Sequence, residues 1–270
     1  MAFSLGTRAA SAGYRLAAFD HIGSTSAEAL SRARAGERGP LWFVTSEQTA
    51  GRARRNRAWI APRGNLASSI LEVIDTSPAM AATLGFAAGL ALEAALKKVS
   101  VEASLRSAGS EQMKFSLKWP NDVLAGPKKL AGILLEAEAV ADNRLAVVVG
   151  IGTNVVAAPE GTPYPATSLA ALGVDVGAED LFAVLSDSWA EFRGIWDNGR
   201  GFAEIRRLWL ERAAGLGRPV TIQLGAATIA GTFDTIDESG CLIVRTPEGR
   251  RVPISAGDVY FGSAASAGAA

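Results

Sequence analysis

The feature that most constrains the fold is a change in the pattern of secondary structure after Gly215. Before this residue, strand-like and helix-like segments alternate along the chain. After it, five short β-type segments follow within about 45 residues, separated by turns such as Asp237–Gly240 and Pro247–Gly249. Short strands at this spacing are typical of a small barrel. We therefore predict two domains, residues 1–215 and 216–262, followed by a low-complexity tail, 263–270, that is predicted to be disordered.

The first domain is predicted to be of the α+β class. Residues 130–140 and 145–151 are apolar segments joined by a short loop, which favours a hairpin and therefore a mixed sheet. Ser77 and Pro78 are typical of a helix start, and the helix is predicted to run to about Lys98. The other predicted strands are 41–45, 65–73 and 115–119, and the other helices are 177–197 and 201–214. Residues 157–168 are predicted as a loop, and 101–113 as a loop or a helix end.

Composition excludes several classes of protein. The 27 basic and 27 acidic residues give no net charge, whereas a protein that coats nucleic acid usually has a basic face. Cys241 and His21 are single residues of their type, which leaves no disulfide framework, no zinc cluster and no Ser-His-Asp triad unless His21 serves. The N-terminus lacks the apolar run of a signal peptide, and no uncharged apolar stretch is long enough to span a membrane. The cytoplasm is the expected location.

The segment 49–59, TAGRARRNRAW, places four arginines within six residues. Arginines that alternate with small residues can direct several guanidinium groups at one anion, with bidentate bonds to a carboxylate or phosphate. Gly51 lets the backbone turn tightly against a ligand. A solvated surface loop is the alternative interpretation of the same pattern.

A second cluster lies in LKWPNDVLAGPKKLAGILLE, residues 117–136. A strand followed by a tight turn brings Lys118, Asn121 and Asp122 close to Lys129, although a lysine at a strand start commonly faces solvent. Carboxylate and amide oxygens are hard ligands of the kind that Mg²⁺ prefers. Gly132 interrupts an apolar strand, which indicates a bulge or a close approach of another group to the backbone.

Two further segments carry weaker signals. The segment VVVGIGTNV, 147–155, lacks the third glycine and the helix of a dinucleotide fingerprint, but its glycines admit a flat ligand and Asn154 offers an amide suited to an adenine edge. In GSTSAE, 23–28, Thr25 and Glu28 form a capping box. The hydroxyls of Ser24 and Thr25 are equally suited to a neutral ligand. Together with the two clusters above, these features indicate a site in which ATP activates a carboxylate.

The motifs GRARRNRAW, KWPNDVL with KLAGILLE, and GIGTNV resemble, in order and spacing, those of the biotin protein ligases, over about residues 14–260. The resemblance implies a mixed-sheet catalytic domain of the biotin/lipoate ligase type packed with helices, and a small C-terminal SH3-like β-barrel. It implies that biotin reacts with MgATP to give biotinyl-5′-AMP and pyrophosphate. A lysine of a carboxylase's biotin carrier domain then takes up the biotin as an amide.

The resemblance also implies roles for particular residues. Lys129, between carboxylate and α-phosphate, and Arg54 are the expected catalytic residues. The arginine loop, residues 51–59, is expected to close over the adenylate and exclude water. The expected biotin contacts are Ser24, Thr25, Gln48, Gly51, Arg52, Lys129 and Gly132. The expected ATP or adenylate contacts are Arg54, Arg57, Trp59, Lys118, Asn121 and Asn154, with Asn121 and Asp122 as Mg²⁺ ligands.

The sequence departs from the family pattern at three places. Ala53 and Asn56 stand where the arginine loop usually has glycines, and an alanine at positive φ would cost about 1 kcal/mol. Ser26 stands where an asparagine is usual. The segment before Gly23 leaves no room for the DNA-binding domain that some relatives carry, which predicts a monofunctional protein that binds no nucleic acid.

Three other functions compete with this prediction. A lipoate or octanoate ligase shares the fold and the adenylation chemistry, but the KWPND–KLAGIL pair and the arginine loop argue against it. A non-catalytic sensor of biotin or its adenylate would follow if the changes at Ala53 and Asn56 had abolished the chemistry. The barrel alone could bind peptide or RNA. Many members of the family pair through sheet edges, so the resemblance also implies a homodimer as one possible assembly.

Overall fold

The computed structural model describes residues 2–106, 113–140, 144–162, 164–225 and 227–261. Residues 107–112 of the predicted loop or helix end 101–113, and the predicted disordered tail 263–270, lie outside the described residues, while 101–106 form the last turns of a helix. Within these ranges the chain forms two sheets, with six α-helices packed mainly on the larger one.

The larger sheet is mixed, as predicted. Its order is β1-β2-β3-β7-β6-β5-β4, and β1 is parallel to β2 while every other neighbouring pair is antiparallel. The hairpin expected from the two apolar segments is present as β6 and β7, at the centre of the sheet. The strands are β1 Arg15–Phe19, β2 Leu41–Thr45, β3 Leu66–Ile74, β4 Phe115–Lys118, β5 Asp122–Ala125, β6 Lys128–Ala139 and β7 Leu145–Thr153.

The predicted helix after Ser77 is wrong in two respects, because it is divided at Thr83 and because it runs to Arg106 rather than to about Lys98. Ser77 does accept a hydrogen bond from the Met80 amide at 3.2 Å, with Pro78 at the first helical position. The Thr83 hydroxyl donates to the Met80 carbonyl at 2.6 Å and accepts from the Trp196 indole at 2.8 Å. Such side-chain bonds compete with a regular helix. The helices are α1 Thr7–Ser11, α2 Thr25–Arg34, α3 Pro78–Ala82, α4 Leu84–Arg106, α5 Ala178–Trp196 and α6 Phe202–Leu210.

Helix α4 is a core element of the domain. The span Pro78–Arg106 is long and apolar enough to cross a membrane by length and composition alone, but 72% of its most apolar window is buried inside the protein. It packs mainly on α5. The core continues under α5, where the Trp42 ring makes edge-on contacts with Phe182 and Trp189 at centroid distances of 5.4 and 6.0 Å.

The smaller sheet contains the five predicted C-terminal strands. They are antiparallel in the order β11-β10-β9-β8-β12, and closure into an SH3-like barrel stays a prediction. The Trp119 indole donates to the Gly240 carbonyl at 3.1 Å, which joins the KWPND turn to this sheet. The strands are β8 Pro219–Leu224, β9 Ala227–Ile236, β10 Leu242–Arg245, β11 Arg251–Ile254 and β12 Asp258–Phe261.

Candidate active site

A cavity of about 270 Å³ opens over β6 and β7, between the arginine loop and β12. All but one of the residues selected from the sequence line it. The exception is Gly51, where a Cβ atom would lie 2.4 Å from the Trp59 carbonyl oxygen and 2.5 Å from Gln48 Nε2. Gly51 therefore lets the two arms of the loop approach each other. The lining includes Ser24, Thr25, Gln48, Arg52, Arg54, Arg57, Trp59, Lys118, Asn121, Asp122, Lys129, Gly132 and Asn154.

The arginine loop is a hairpin folded over the cavity. Arg52 and Ala58 form an antiparallel bridge, and the Ala53 amide donates to the Arg57 carbonyl at 2.8 Å. Ala53 has φ −124° and ψ 177°, an extended conformation that alanine adopts without strain, so the strain expected at this position does not arise. The positive φ of the loop falls instead on Arg55, at 57°.

Carboxylates hold three of the four arginines of the loop. Arg52 pairs with Glu136 of β6 at 2.9 Å. Asp258, the first residue of β12, accepts from Arg55 at 2.6 Å and from Arg57 at 3.4 Å. The loop is therefore attached to both sheets.

Arg54 is the least exposed arginine of the loop, and it also lines the cavity. Its Nη1 lies 3.3 Å from Asn121 Oδ1 and 3.5 Å from the Gly257 carbonyl. Burial lowers the pKa of Arg54, and the charge of Asp258 opposes that shift. A cation in this environment is incompletely neutralised and is suited to an anionic ligand.

Lys129 faces the cavity rather than solvent. Its backbone leaves the regular ladder, because its amide donates to the Pro165 carbonyl at 2.7 Å and the register of β5 on β6 shifts at this point. The ammonium group lies 2.6 Å from Asp122 Oδ1 and 5.5 Å from the ring centre of Trp59. The loop after β7 and the bulge therefore aim this side chain.

Lys118 is a second cation of the cavity, and it is only 7% exposed. Its ammonium group lies 3.6 Å from the ring centre of Tyr164, a cation–π contact. Burial lowers the pKa of Lys118 to about 8, although the charge of Asp122 opposes the shift. Tyr164 lies in the Pro-rich loop 157–168.

Two glycines form a ledge in the floor of the cavity. Gly132 and Gly152 are paired across β6 and β7. A Cβ atom on Gly152 would lie 2.5 Å from Nε1 of Trp59, and one on Gly132 would lie 3.1 Å from Cζ3 of the same ring. The close approach to the backbone that was one of the two alternatives at Gly132 is therefore made by the Trp59 indole, and the register shift lies between Lys129 and Ala131. The flat ligand expected at Gly150 and Gly152 stays a prediction.

A neutral polar cluster lies further along β7, at Gly150. The Ser69 hydroxyl is 2.8 Å from that of Thr25 and 3.0 Å from that of Ser26. Gln48 Oε1 accepts from the Thr25 amide at 2.9 Å. A Cβ atom on Gly150 would lie 2.6 Å from the Ser26 hydroxyl oxygen, so the glycine makes room for this cluster.

The capping box predicted for Thr25 and Glu28 is wrong. Ser24 is the N-cap of α2, and its hydroxyl accepts from the Ala27 amide at 3.3 Å. Glu28 instead pairs with Arg32 at 2.7 Å, one turn further along the helix. The cap moves by one residue because the Thr25 hydroxyl already bonds Ser69 of β3.

Asn154, which directly follows β7, keeps one acceptor free. Its Nδ2 donates to the Thr167 carbonyl at 3.0 Å, while its Oδ1 has no hydrogen-bond partner among the described residues although the side chain is 1% exposed. Gly150, Gly152 and Asn154 are alternate residues of one extended segment. The hydroxyl cluster at Gly150, the Trp59 indole at Gly152 and the Asn154 amide are therefore spaced at intervals of roughly 7 Å.

The described residues hold no group of three acidic, histidine or cysteine side chains suited to a metal ion. Asn121 Oδ1 and Asp122 offer one amide and one carboxylate oxygen, and both now contact cations. This donor set fits Mg²⁺ that takes most of its ligands from phosphates and water. It does not fit a metal held by the protein alone.

The cavity combines a neutral polar cluster, lysine and arginine cations and a free amide acceptor, a set of groups suited to a ligand with polar, anionic and aromatic parts. Residues 24–154 match the Biotin/lipoate A/B protein ligase family, and residues 215–262 match the Biotin protein ligase C terminal domain. The chain is 40% identical over 245 residues to the biotin–[acetyl-CoA-carboxylase] ligase of Paracoccus denitrificans, covering 88% of this chain and 97% of that protein.

Two further relatives agree. The ligase of the same name from Mycobacterium tuberculosis is 35% identical over 88% of this chain and 85% of that protein. The structure of the Aquifex aeolicus biotin protein ligase in complex with biotin and ATP superposes with a TM-score of 0.72, at 25% identity, over 92% of this chain and 99% of that chain. The chain therefore belongs to the biotin protein ligase family.

Sequence reasoning missed several residues of the site. Ser69 lies in a buried strand whose other residues are mostly apolar, and Asp258 lies in the other sheet, so neither is next to a recognisable motif. Tyr164 lies against the Lys118 ammonium group because the Pro-rich loop pairs with the start of β6, where Ala166 bridges to Lys129. A tyrosine between two prolines of a loop that follows a site strand was the one available signal.

Proposed function

We propose that this protein joins biotin to a lysine of a biotin carboxyl-carrier domain through biotinyl-5′-AMP. The observation that supports this best is the order of groups along β7. Hydroxyls and an amide suited to the ureido ring lie at Gly150, the Lys129 ammonium group lies beside the ledge, and the free acceptor of Asn154 lies at the far end. This spans roughly 13 Å, a length suited to an acyl adenylate.

The first step brings two anions together. A biotin carboxylate oxygen attacks the α-phosphorus of ATP, and the bond to pyrophosphate breaks. Lys129 holds its positive charge where negative charge gathers, and Arg54 adds a second cation to the phosphates. Mg²⁺, for which Asn121 and Asp122 are suited, supplies charge neutralisation of the triphosphate. The Asp122 carboxylate holds Lys129 in place before the substrates bind.

In the second step, the neutral amine of the carrier lysine attacks the acyl carbon, AMP leaves and the amine proton is lost. The arginine loop excludes water from the mixed anhydride until the carrier arrives. Arg52 and Arg57 lie in that loop, and Gln48, Ser24 and Thr25 hold the ureido ring, which needs both donors and acceptors. Trp59 and Gly132 form the wall and floor between the two ends.

The wider setting follows from this reaction. The cytoplasm is the proposed location, because ATP and the carboxylase are used there. Residues 1–215 are proposed as the catalytic domain and 216–262 as a small barrel that contributes to the cavity. The balanced charge argues against nucleic acid as a partner, and a homodimer through a sheet edge stays a prediction.

The test is exchange of labelled pyrophosphate into ATP, with biotin in one sample and lipoate or octanoate in another. Exchange with biotin alone is the expected result, because the polar cluster at Gly150 suits a ureido ring. Exchange with the fatty acids alone would assign the protein to the lipoate branch. Tight biotin binding without exchange would indicate a non-catalytic sensor of biotin.

Lys118 predicts a pH dependence of ATP binding. Its pKa is near 8 in the free protein, and a bound phosphate would raise it. The cation is therefore present below about pH 8 and is lost as the pH rises through that value, so ATP affinity should fall between about pH 7.5 and 9. Calorimetry in buffers of different ionisation enthalpy should show proton uptake at pH 8.

Lys118→Met should abolish this proton uptake, whereas Lys114→Met, at an exposed position outside the cavity, should leave it unchanged. Proton uptake that persists in Lys118→Met would assign the titration to another group.

A further inference from the structure

The C-terminal sheet contacts the arginine loop at one short segment. Gly257 and Asp258, where β12 begins, contact three of its four arginines. Arg54 approaches the Gly257 carbonyl, and Arg55 and Arg57 bind the Asp258 carboxylate. Arg55 and Asp258 are 203 positions apart in the chain, so the contact exists only because the two domains fold together.

The backbone of Arg55 indicates that something holds it. Its φ of 57° and ψ of 37° lie in the left-handed region, which a residue with a side chain rarely occupies. Such a conformation persists where surrounding contacts maintain it. The ion pair of Arg55 with Asp258, at 2.6 Å, is the contact that the structure gives to this side chain.

Charge gives the same carboxylate a second effect. Arg54, Arg55 and Arg57 repel one another. In addition to burial, the charges of Arg55 and Arg57 lower the pKa of Arg54, whereas the charge of Asp258 raises it. Without Asp258, this repulsion would favour an open loop. Glu136 could then hold the loop only through Arg52, on the other side of the cavity.

We propose that Asp258 is a positioning residue, which holds the tip of the arginine loop through Arg55 and Arg57 and keeps Arg54 directed at the phosphate site. The C-terminal sheet thereby takes part in adenylation without touching the reacting atoms. This inference rests on the proposed function for its kinetic consequence, but the position of the loop can be measured without any activity.

The experiment compares Asp258→Asn with Asp234→Asn. Asp234 is a matched control because it also binds two arginines of the C-terminal region, Arg245 at 3.2 Å and Arg251 at 2.9 Å. Its side chain is 22% exposed, against 27% for Asp258, and it lies outside the cavity lining. Trypsin cuts after arginine, so cleavage at Arg52, Arg54 and Arg57, mapped by mass spectrometry, reports opening of the loop.

Asp258→Asn should raise cleavage of the ligand-free loop about three- to ten-fold, the range expected for an ion-pair network of this exposure. Its KM for ATP in pyrophosphate exchange should rise by a similar factor, with a smaller change in kcat. Asp258→Glu should restore part of both effects, and Asp234→Asn should change neither.

Arg55→Gln tests the same contact from the loop side. It leaves the C-terminal sheet intact, so it stays informative if Asp258→Asn unfolds that sheet. It should open the loop to the same extent, and the double variant should add little to either single change.

Cleavage equal to wild type in Asp258→Asn and Arg55→Gln would overturn the inference, as would equal effects of the two aspartate variants. Absence of exchange in the wild-type protein would instead refute the proposed function, and the cleavage result would still stand.

Discussion

Replacing Lys129 with alanine is expected to lower the rate of biotin-dependent pyrophosphate exchange by about 10²–10³-fold, the loss seen when one preorganised donor at a developing charge is removed. The ammonium group is the cation nearest the ledge, and it has Asp122 at 2.6 Å as its partner. The alanine variant leaves that carboxylate unpaired beside the phosphates. The attack of the carboxylate on the phosphate is therefore no longer stabilised by the Lys129 charge, and it is opposed by the negative charge of Asp122.

The neighbouring Lys128 provides the control. It is exposed, lies one residue away on the same strand and is absent from the cavity lining, so Lys128→Ala should retain exchange. The measurement is kcat and KM for exchange, together with the unfolding midpoint in urea. A Lys129→Ala protein that is folded and retains more than about a tenth of the activity would contradict the assigned role.

Gly152→Ala is expected to reduce biotin and ATP affinity by about ten- to a hundred-fold, because overpacking a filled site costs about 1–3 kcal/mol. The added methyl group would lie 2.5 Å from two ring atoms of Trp59, which is too close for either group to remain. The indole must leave the ledge and enter the space that the ligand needs. Fluorescence of the tryptophans and ligand titration would follow both events.

Gly194→Ala is the matched control for this change. Gly194 is exposed in α5, no heavy atom lies within 4 Å of its added Cβ, and the substitution should stabilise the protein by about 0.5–1 kcal/mol without loss of affinity. Gly152→Ala made in a Trp59→Ala protein tests whether the clash with the indole causes the loss of affinity. If the clash with the indole is responsible, Gly152→Ala will lose less affinity in that background.

Local pattern was sufficient for most of the strands. The segments 41–45, 65–73 and 145–151 were predicted to within two residues, since continuous apolar runs bounded by turn residues are distinctive. Among the predictions that failed are those at Thr83 and at the start of α2. At both places a hydroxyl bonds to a side chain distant in sequence, Trp196 in one case and Ser69 in the other. A residue's immediate neighbours contain no information about such partners.

The sequence by itself determined which functional groups the site contains. The arginines of residues 52–57, the lysines and amide of the KWPND–KLAGIL pair and the glycines of GIGTNV are all visible as short motifs. Each motif is local because a turn or a strand end must present its side chains together. The family could therefore be inferred before any contact was known, although every role assigned to these residues stays a prediction.

Only the tertiary structure decided how these functional groups are arranged in space. Pairing of β6 with β7 places Trp59 on two glycines, packing of α2 on β3 buries the hydroxyl cluster, and docking of β12 brings Asp258 to Arg55. Each arrangement joins residues far apart in the chain. Such contacts depend on which apolar faces are buried together, and that is a property of the whole core rather than of any segment.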